Sequence, residues 1–257
     1  MIGPRVHSDA VRIPALRTTD GAPTAGVVAG ARPRTLPGLF GAVVMAFLLV
    51  EALLLGLGLL VTRVLTHTWV HRDEFAFEQD VVIHRTPFWN SVTSFGTVLG
   101  GTEIVLAMTA LGCLVLALRG HGPRLPAFLA VAVAGETVLF VLASIAIDRH
   151  RPGIPHLDGA PPTSSFPSGH TAATVALWCG LALGLARTHP GHRLRVLSWV
   201  LAVTLPGFVL CSRLYRGMHW PTDVAASVVF TLLWLFLLRA ILLPRGVPDR
   251  AVADTEG

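Results

Sequence analysis

The chain has 257 residues, of which 53% are hydrophobic and only 14% are charged, and its mean hydropathy is +0.64. This balance argues against a water-soluble domain and is typical of an integral membrane protein. The net charge of +5 and the pI near 10.4 would suit a nucleic-acid-binding protein. However, the arginines flank apolar segments and form no basic face, so we expect no nucleic-acid partner.

Residues 1–37 are rich in Arg, Pro, Gly and Ala and contain no apolar core, so they do not resemble a signal peptide. We expect them to form a disordered basic tail in the cytoplasm, and residues 244–257 to form a second short cytoplasmic tail. Only brief loops separate the apolar segments between these tails. The sequence therefore predicts a single membrane domain over residues 38–243.

Six apolar stretches approach the roughly 20 residues that a helix needs to cross a bilayer. They cover residues 39–62, 95–118, 126–147, 170–187, 196–212 and 223–243, and the fourth and fifth are the shortest. The predicted fold class is all-α, an integral membrane bundle of six transmembrane helices.

The arginines indicate how this bundle is oriented. All 20 basic residues are arginine, and most lie in the tails and in the second and fourth loops. The first, third and fifth loops hold Arg63, Arg72, Arg85, Arg149, Arg151, Arg213 and Arg216. Because positive charge is biased toward the cytoplasm, both termini are expected there and the odd-numbered loops are expected outside.

Other polar or reactive residues receive structural interpretations. The cysteines lie in apolar segments without metal-ligand spacing and are interpreted as packing residues: Cys113, Cys179 and Cys211. Three acids also lie in apolar stretches, where an acid is costly: Glu51, Glu103 and Glu136. They could pair with an arginine, contact a head group or form hydrogen bonds within the bundle, and no catalytic role is assigned to them.

The first outward loop contains two further features. His67 and His71 have i,i+4 spacing, but we interpret them as interfacial residues and predict no metal site or cofactor. Residues 75–90 mix aromatic and aliphatic side chains with charges. They are compatible with a short amphipathic helix at the interface, near the point where lipid enters, or with a loop packed over the helix ends.

The third loop begins with "DRHRPG", residues 148–153. Taken alone, Arg149 and Arg151 suit interfacial charges at a helix end, where Pro152 stops the helix.

The same loop ends with "PSGH", residues 167–170. Ser168 is suited to cap the following helix through its hydroxyl group. The amides of Ser168, Gly169 and His170 lie at the positive end of a helix dipole, and glycine lets a ligand approach the backbone. This pattern favours an anion site, in particular for phosphate.

The fifth loop carries "SRLYRGMHWPTD", residues 212–223. Pro221 and Asp223 suit the first turn of a helix, and His219 suits the membrane interface. A carboxylate bonded to one imidazole nitrogen also fixes the tautomer and exposes the other nitrogen as a base or nucleophile. We therefore predict that Asp223 orients His219.

These outward motifs together supply two histidines, a carboxylate, at least two arginines and a helix N-terminus. Guanidinium groups and amides can hold the nonbridging oxygens of a phosphate, one histidine can attack phosphorus, and the other can protonate the leaving oxygen. The combination indicates phosphoryl transfer.

The motifs resemble those of the type 2 phosphatidic acid phosphatases (PAP2), whose active site is similar to that of the vanadium haloperoxidases. That signature reads Lys, six residues, Arg-Pro; then Pro-Ser-Gly-His; then Ser-Arg, five residues, His, three residues, Asp. The chain supplies "RP" at 151–152, "PSGH" at 167–170, and "SR" at 212–213 with His219 and Asp223 at the same spacing. The resemblance covers roughly residues 40–243 and implies a PAP2/haloperoxidase-like helical core.

The resemblance also implies roles for individual residues. His219 would form a phosphohistidine, Asp223 would orient it, and His170 would be the general acid. The residues expected to hold the phosphoryl oxygens are Arg151, Arg213, Ser168 and Gly169. The family works without a metal ion.

The first motif departs from the pattern, because the lysine position is occupied by Ser144 and the chain contains no lysine. A short, uncharged hydroxyl group cannot replace that contact. We hypothesise that Arg149 or Arg216 supplies the missing charge.

The resemblance implies hydrolysis of a lipid phosphate on the outer membrane face, with a membrane lipid as substrate and no protein partner. A polyprenyl diphosphate such as undecaprenyl diphosphate is the first choice, and phosphatidic acid and phosphatidylglycerol phosphate remain open. A phosphotransferase could use the same site with an alcohol in place of water. A transporter would explain the helices but not the arginines and histidines, and a haloperoxidase would not need six membrane helices.

Overall fold

The computed structural model describes residues 36–159, 163–188 and 191–243, and every regular element in these ranges is a helix. This confirms the all-α prediction. The helices are α1 (Leu36–Leu59), α2 (Trp69–Ile83), α3 (Pro87–Leu99), α4 (Thr102–Leu118), α5 (Arg124–Ala146), α6 (Gly169–Leu185), α7 (His192–Tyr215) and α8 (Pro221–Leu242). A π-helical turn and a 3-10 turn extend α1 to His67.

The two predicted tails fall almost wholly outside the described residues. The N-terminal tail was predicted to end at residue 37, but α1 begins at Leu36. Two residues assigned to that tail therefore belong to the first helix.

Within the described ranges, four helical stretches are long and apolar enough to cross a membrane: Leu36–His67, Arg124–Ala146, His192–Tyr215 and Pro221–Leu242. The predicted second span is not one straight helix, because α3 and α4 meet at a bend of 52° and would form a fifth span only as a pair. Two consecutive glycines, Gly100 and Gly101, separate them, and glycine is a poor helix former. α6 is apolar but has only 17 residues, so the count of six spans stays a prediction.

α6 lies at the centre of the bundle and packs against α4, α5, α7 and α8. Because neighbours surround it, its buried residues are distributed over several faces instead of one stripe. Small residues allow close approach: a Cβ at Gly184 would come within 2.8 Å of Leu125 on α5. α5 also contacts α8, where the indole of Trp234 donates to the Ala132 carbonyl at 3.0 Å.

The outer helices carry large apolar side chains that no part of the described chain covers. Leu53 on α1, Leu114 on α4 and Val203 on α7 are 53%, 56% and 70% exposed. A surface of this kind is unfavourable in water and suited to lipid. It supports the assignment of an integral membrane protein.

Polar segments gather at one end of the bundle, where the α5–α6 and α7–α8 loops meet α2. A helix does occur in the loop that follows α1, but it begins at Trp69, earlier than predicted, because the Thr68 hydroxyl accepts from the Val70 amide at 3.3 Å. α2 exposes Trp69 and Phe77 and buries Glu74 and Glu78. Of the acids of α2, Glu74 and Glu78 are therefore buried within the bundle, while Asp73 and Asp80 are exposed.

Candidate active site

The α7–α8 loop presents His219. α7 ends at Tyr215, and Gly217 adopts a left-handed conformation with φ of +72° that glycine tolerates without strain. The amides of Gly217 and Met218 bond back to carbonyls in the last turn of α7. Because α8 begins at Pro221, a short turn between two helix ends holds the side chain of His219, which is 4% exposed.

The hydrogen bonding of His219 fixes its tautomer. Its Nδ1 lies 2.7 Å from the backbone carbonyl oxygen of Ser165. Since a carbonyl oxygen only accepts, Nδ1 must carry the proton and Nε2 keeps its lone pair. Burial, followed by the positive charges of Arg213 and Arg151, lowers the pKa of His219 well below its usual value. The imidazole is therefore neutral near pH 7 and suited to act as a nucleophile.

Asp223 lies near His219 but is not its hydrogen-bond partner. Oδ2 of Asp223 is 4.0 Å from Nδ1 of His219 and accepts instead from the Trp220 amide at 2.9 Å. The prediction of a direct bond is wrong, because the Ser165 carbonyl already accepts the hydrogen bond from Nδ1 of His219. Asp223 is fully buried, so its negative charge still acts on the imidazole across a medium of low polarity.

Arg149 is committed elsewhere and does not line the cavity. One of its amino groups donates to Thr222 and Asp223, and the other donates to Oε2 of Glu74 at 3.0 Å. Its guanidinium also lies over the Trp220 ring, 5.6 Å from the centroid. The hypothesis that Arg149 replaces the family lysine at the phosphate is therefore not supported by the geometry. Glu74 was not singled out from the sequence, where nothing separates it from the other acids of α2.

Arg151 and Arg213 both reach the cavity. Nη1 of Arg151 donates to the Met218 carbonyl at 2.7 Å, and Nη1 of Arg213 donates to Thr97 at 2.9 Å. Burial lowers the pKa of Arg151, and the charge of Asp223 opposes that shift. The Nε–H groups of both arginines are buried and find no acceptor among the described residues. An unsatisfied, positively charged donor is costly to bury, and an anion in the cavity would satisfy both.

Asp158 is a site residue that the sequence analysis missed. Its Oδ2 accepts from Arg213 at 2.7 Å, and its Oδ1 accepts from Nε of Arg216 at 2.8 Å. Burial alone would raise the pKa of this carboxyl, but the bond from Arg216 and the charges of Arg213 and Arg216 outweigh burial and lower it. Arg216 lies behind Asp158 and outside the cavity lining, so it fixes Arg213 through Asp158 and does not itself replace the missing lysine.

Ser168 precedes α6 but does not act as predicted. Its hydroxyl makes no capping bond to a backbone amide and lies 3.0 Å from the Thr171 hydroxyl. Its amide donates to the Ser227 hydroxyl at 2.8 Å. Ser168 therefore joins α6 to α8 and is not placed to hold phosphate.

Gly169 and His170 open α6 and line the cavity. A Cβ at Gly169 would come within 2.9 Å of the Phe140 ring. The glycine is thus needed for close packing of α6 against α5, in addition to keeping the backbone accessible. His170 shares the cavity wall with His219, as predicted from the two motifs.

The cavity has a volume of about 490 Å³, and its lining is partly polar and partly apolar. The polar part of the lining includes Arg151, Arg213, His170 and His219. The apolar part comes mainly from α4 and α5: Val105, Leu106, Val133, Phe140 and Ala173. Leu106 is 56% exposed, so the apolar part of the lining includes a side chain that is accessible from outside the bundle.

Three other residues singled out in the sequence differ in their relation to the cavity. The hydroxyl of Ser144 bonds to the Val141 carbonyl at 2.9 Å, one turn back in its own helix, and does not line the cavity. The His71 ring packs against Trp220 with centroids 5.0 Å apart. Glu136 does line the cavity, and both of its carboxyl oxygens are unpartnered among the described residues.

Residues 125–246 match the profile of the PAP2 superfamily. This segment belongs to the PAP2 superfamily. It includes α5 to α8 and therefore both histidines and every arginine of the cavity. The family match confirms the predicted superfamily and enzyme class, a phosphatase.

A crystal structure described as the first transmembrane PAP2-type phosphatidylglycerolphosphate phosphatase, from Bacillus subtilis, has a similar fold. The two chains are 22% identical with a TM-score of 0.64, and the similarity covers 78% of this chain and 94% of that one. Among curated proteins, the sequence finds no match. The similarity supports a transmembrane PAP2 fold and an integral membrane location.

Proposed function

We propose that this PAP2 protein hydrolyses a lipid phosphate or diphosphate through a phosphohistidine intermediate on His219. The observation that carries the proposal is the cavity itself. It combines a neutral histidine, whose Nε2 has a free lone pair, with an apolar part of the lining and with two arginines whose Nε–H groups find no acceptor among the described residues. A phosphate ester with a long apolar tail satisfies all three features.

In the first step, Nε2 of His219 attacks phosphorus, and the bond from phosphorus to the leaving oxygen breaks as the new N–P bond forms. Arg151 and Arg213 donate to the nonbridging oxygens, where negative charge is held in the transition state. His170 protonates the leaving oxygen, which belongs to an alcohol or, in a diphosphate, to a phosphate. The bound phosphate favours the protonated form of His170 before the step.

In the second step, a water molecule attacks the phosphorus of phosphohistidine. His170, now neutral, accepts a proton from that water. The N–P bond breaks, its electron pair returns to Nε2 of His219, and inorganic phosphate is released. The proton stays on Nδ1, hydrogen-bonded to the Ser165 carbonyl throughout, so the histidine needs no change of tautomer.

A lipid substrate is supported by the apolar lining that α4 and α5 supply, which includes the exposed side chain of Leu106. Polyprenyl diphosphate, phosphatidic acid and phosphatidylglycerol phosphate share the phosphate that the arginines would hold. The distribution of arginines favours an orientation with both termini in the cytoplasm and the site outside.

The test is phosphate release by purified protein from each of these three lipids, alongside His219→Ala and His170→Ala. We expect His219→Ala to abolish release and to form no acid-labile phosphoenzyme. His170→Ala should slow release less for a diphosphate, whose leaving phosphate needs less protonation, than for a monoester. Full activity of His219→Ala would refute the proposed nucleophile.

A further inference from the structure

Behind His219, on the side away from the cavity, lies a buried row of three charged groups. Glu74 of α2 pairs with Arg149 at 3.0 Å, and Arg149 pairs with Asp223. The side chains of Glu74 and Arg149 are only 6% and 5% exposed, and that of Asp223 is fully buried. Asp223 in turn lies 4.0 Å from His219.

Glu74 also holds the start of α8. Its Oε1 accepts from the Thr222 amide at 2.8 Å and from the Thr222 hydroxyl at 2.6 Å. Both carboxylate oxygens are therefore used, one by α8 and the other by Arg149. α2 lies outside residues 125–246, the segment that matches the PAP2 superfamily, so the contact adds an element to the site that the family match does not include.

The signs of these charges matter for the reaction. When Nε2 bonds to phosphorus, the His219 ring acquires positive charge, because Nδ1 keeps its proton. Asp223 alone would stabilise that charge, but the positive charge of Arg149 beside it opposes this effect. Glu74 neutralises Arg149, so the row as a whole keeps one negative charge facing the imidazole.

We propose that Glu74 is a positioning residue, which preserves the negative charge behind His219 by neutralising Arg149 and holds Arg149 and the start of α8 in place. The proposal rests on the proposed phosphohistidine mechanism. On the opposite side, His219 faces the positive charges of Arg151 and Arg213 and the ring of His170. The negative charge of the Glu74 carboxylate therefore helps to balance these positive charges during phosphoryl transfer.

Glu74 does not line the cavity, so a change there affects the chemical step more than binding. Glutamine at position 74 keeps an oxygen for Thr222 but removes the charge. We expect Glu74→Gln to lower kcat on the order of tenfold, as expected for a residue that supports a functional histidine from behind, with KM nearly unchanged. Glu74→Asp keeps the charge and should retain more kcat than Glu74→Gln.

The double variant Glu74→Gln with Arg149→Met separates charge balance from a structural role. It again leaves one negative charge, Asp223, behind His219, so its kcat should exceed that of Glu74→Gln alone. A side chain that served only as a structural support would give a double variant at least as impaired as the single one, and that result would overturn the proposal.

Asp73→Asn is the matched control, because it removes the same charge from the adjacent, exposed position of α2. It should behave as wild type. If the wild type is active, His219→Ala is inactive, and Glu74→Gln is as active as Asp73→Asn, this inference fails while the proposed function stands. If His219→Ala is active, the proposed function itself fails.

Discussion

Replacing Asp158 with asparagine tests the ionic clamp that fixes Arg213 in the cavity. Asp158 accepts from Arg213 at 2.7 Å, from Nε of Arg216 at 2.8 Å and from Thr97 at 3.0 Å, and its Oδ1 also lies 2.7 Å from Nη2 of Arg216. Asparagine offers one carbonyl oxygen in place of two carboxylate oxygens. It can accept a hydrogen bond from one guanidinium, and both guanidinium groups are left buried without their counter-charge.

The expected loss of stability follows from burial. The side chains of Arg213 and Arg216 are 4% and 7% exposed and that of Asp158 is 19% exposed. Breaking a buried pair by removing one partner costs roughly 3–5 kcal/mol, and the partial exposure of Asp158 suggests about 3 kcal/mol. For a domain of this size, that corresponds to a fall in Tm of about 6–12 °C.

The assay is thermal unfolding of purified protein in detergent, with and without inorganic phosphate. The Tm of the variant should be lower than that of wild type. Phosphate should raise its Tm more than that of wild type, because the cavity has gained one positive charge and ligand binding stabilises the folded state. Asp80→Asn, at an exposed position on α2, is the control and should change Tm little.

The pH dependence follows from the lowered pKa of Asp158, whose ordinary value is 3.8. A carboxyl with a lowered folded-state pKa stabilises the fold above its ordinary pKa, and this contribution is lost as the pH falls through the folded value. The difference in Tm between wild type and Asp158→Asn should therefore persist from about pH 7 down to about pH 4 and shrink only below that. A variant as stable as Asp80→Asn, or a difference in Tm that disappears by pH 5, would refute this account of the clamp.

Four further predictions concern the reaction. Since the pKa of His219 lies well below 6.5, we expect the low-pH decline in kcat/KM, corrected for ionisation of the substrate phosphate, to have its midpoint below pH 6.5. A midpoint above that value would contradict the neutral nucleophile. Gly169→Ala should lower kcat because its Cβ meets Phe140 at 2.9 Å, and adding Phe140→Leu should recover part of the loss if the clash is the cause. Ser144→Ala should leave phosphate release unchanged, since this hydroxyl bonds within its own helix, whereas a clear loss would place Ser144 in the site. Excess chelator should also leave activity unchanged because arginines supply the positive charge, and a loss that added metal restores would contradict this.

Local sequence patterns predicted much of the fold. The apolar stretches located the long helices, because a segment that must satisfy its backbone bonds in lipid becomes helical wherever it occurs. The break between α3 and α4 was visible as Gly100-Gly101 but was not recognised, since glycine is also common within membrane helices. The start of α2 depended on Thr68, whose capping role is a local signal that was overlooked.

The site was predicted where residue type and spacing carry the information. His219, His170, Arg151 and Arg213 line one cavity, as the motifs indicated. Ser168 was misjudged because its amide and hydroxyl have partners from other parts of the fold. The roles of such groups depend on competition between hydrogen-bond partners, which spacing does not reveal.

The sequence by itself determined the helical membrane fold and the chemical groups of the site, because both depend on composition and on short motifs. Only the tertiary structure decided which charges meet. Glu74 and Arg149 are 75 residues apart, and Arg149 and Asp223 are 74 apart. Arg149 and Arg151 lie two residues apart yet have different positions: Arg149 pairs with Asp223 behind the histidine, and Arg151 lines the cavity. The physical reason is that a buried charge takes the nearest available counter-charge, and which one is nearest is set by helix packing instead of by distance along the chain.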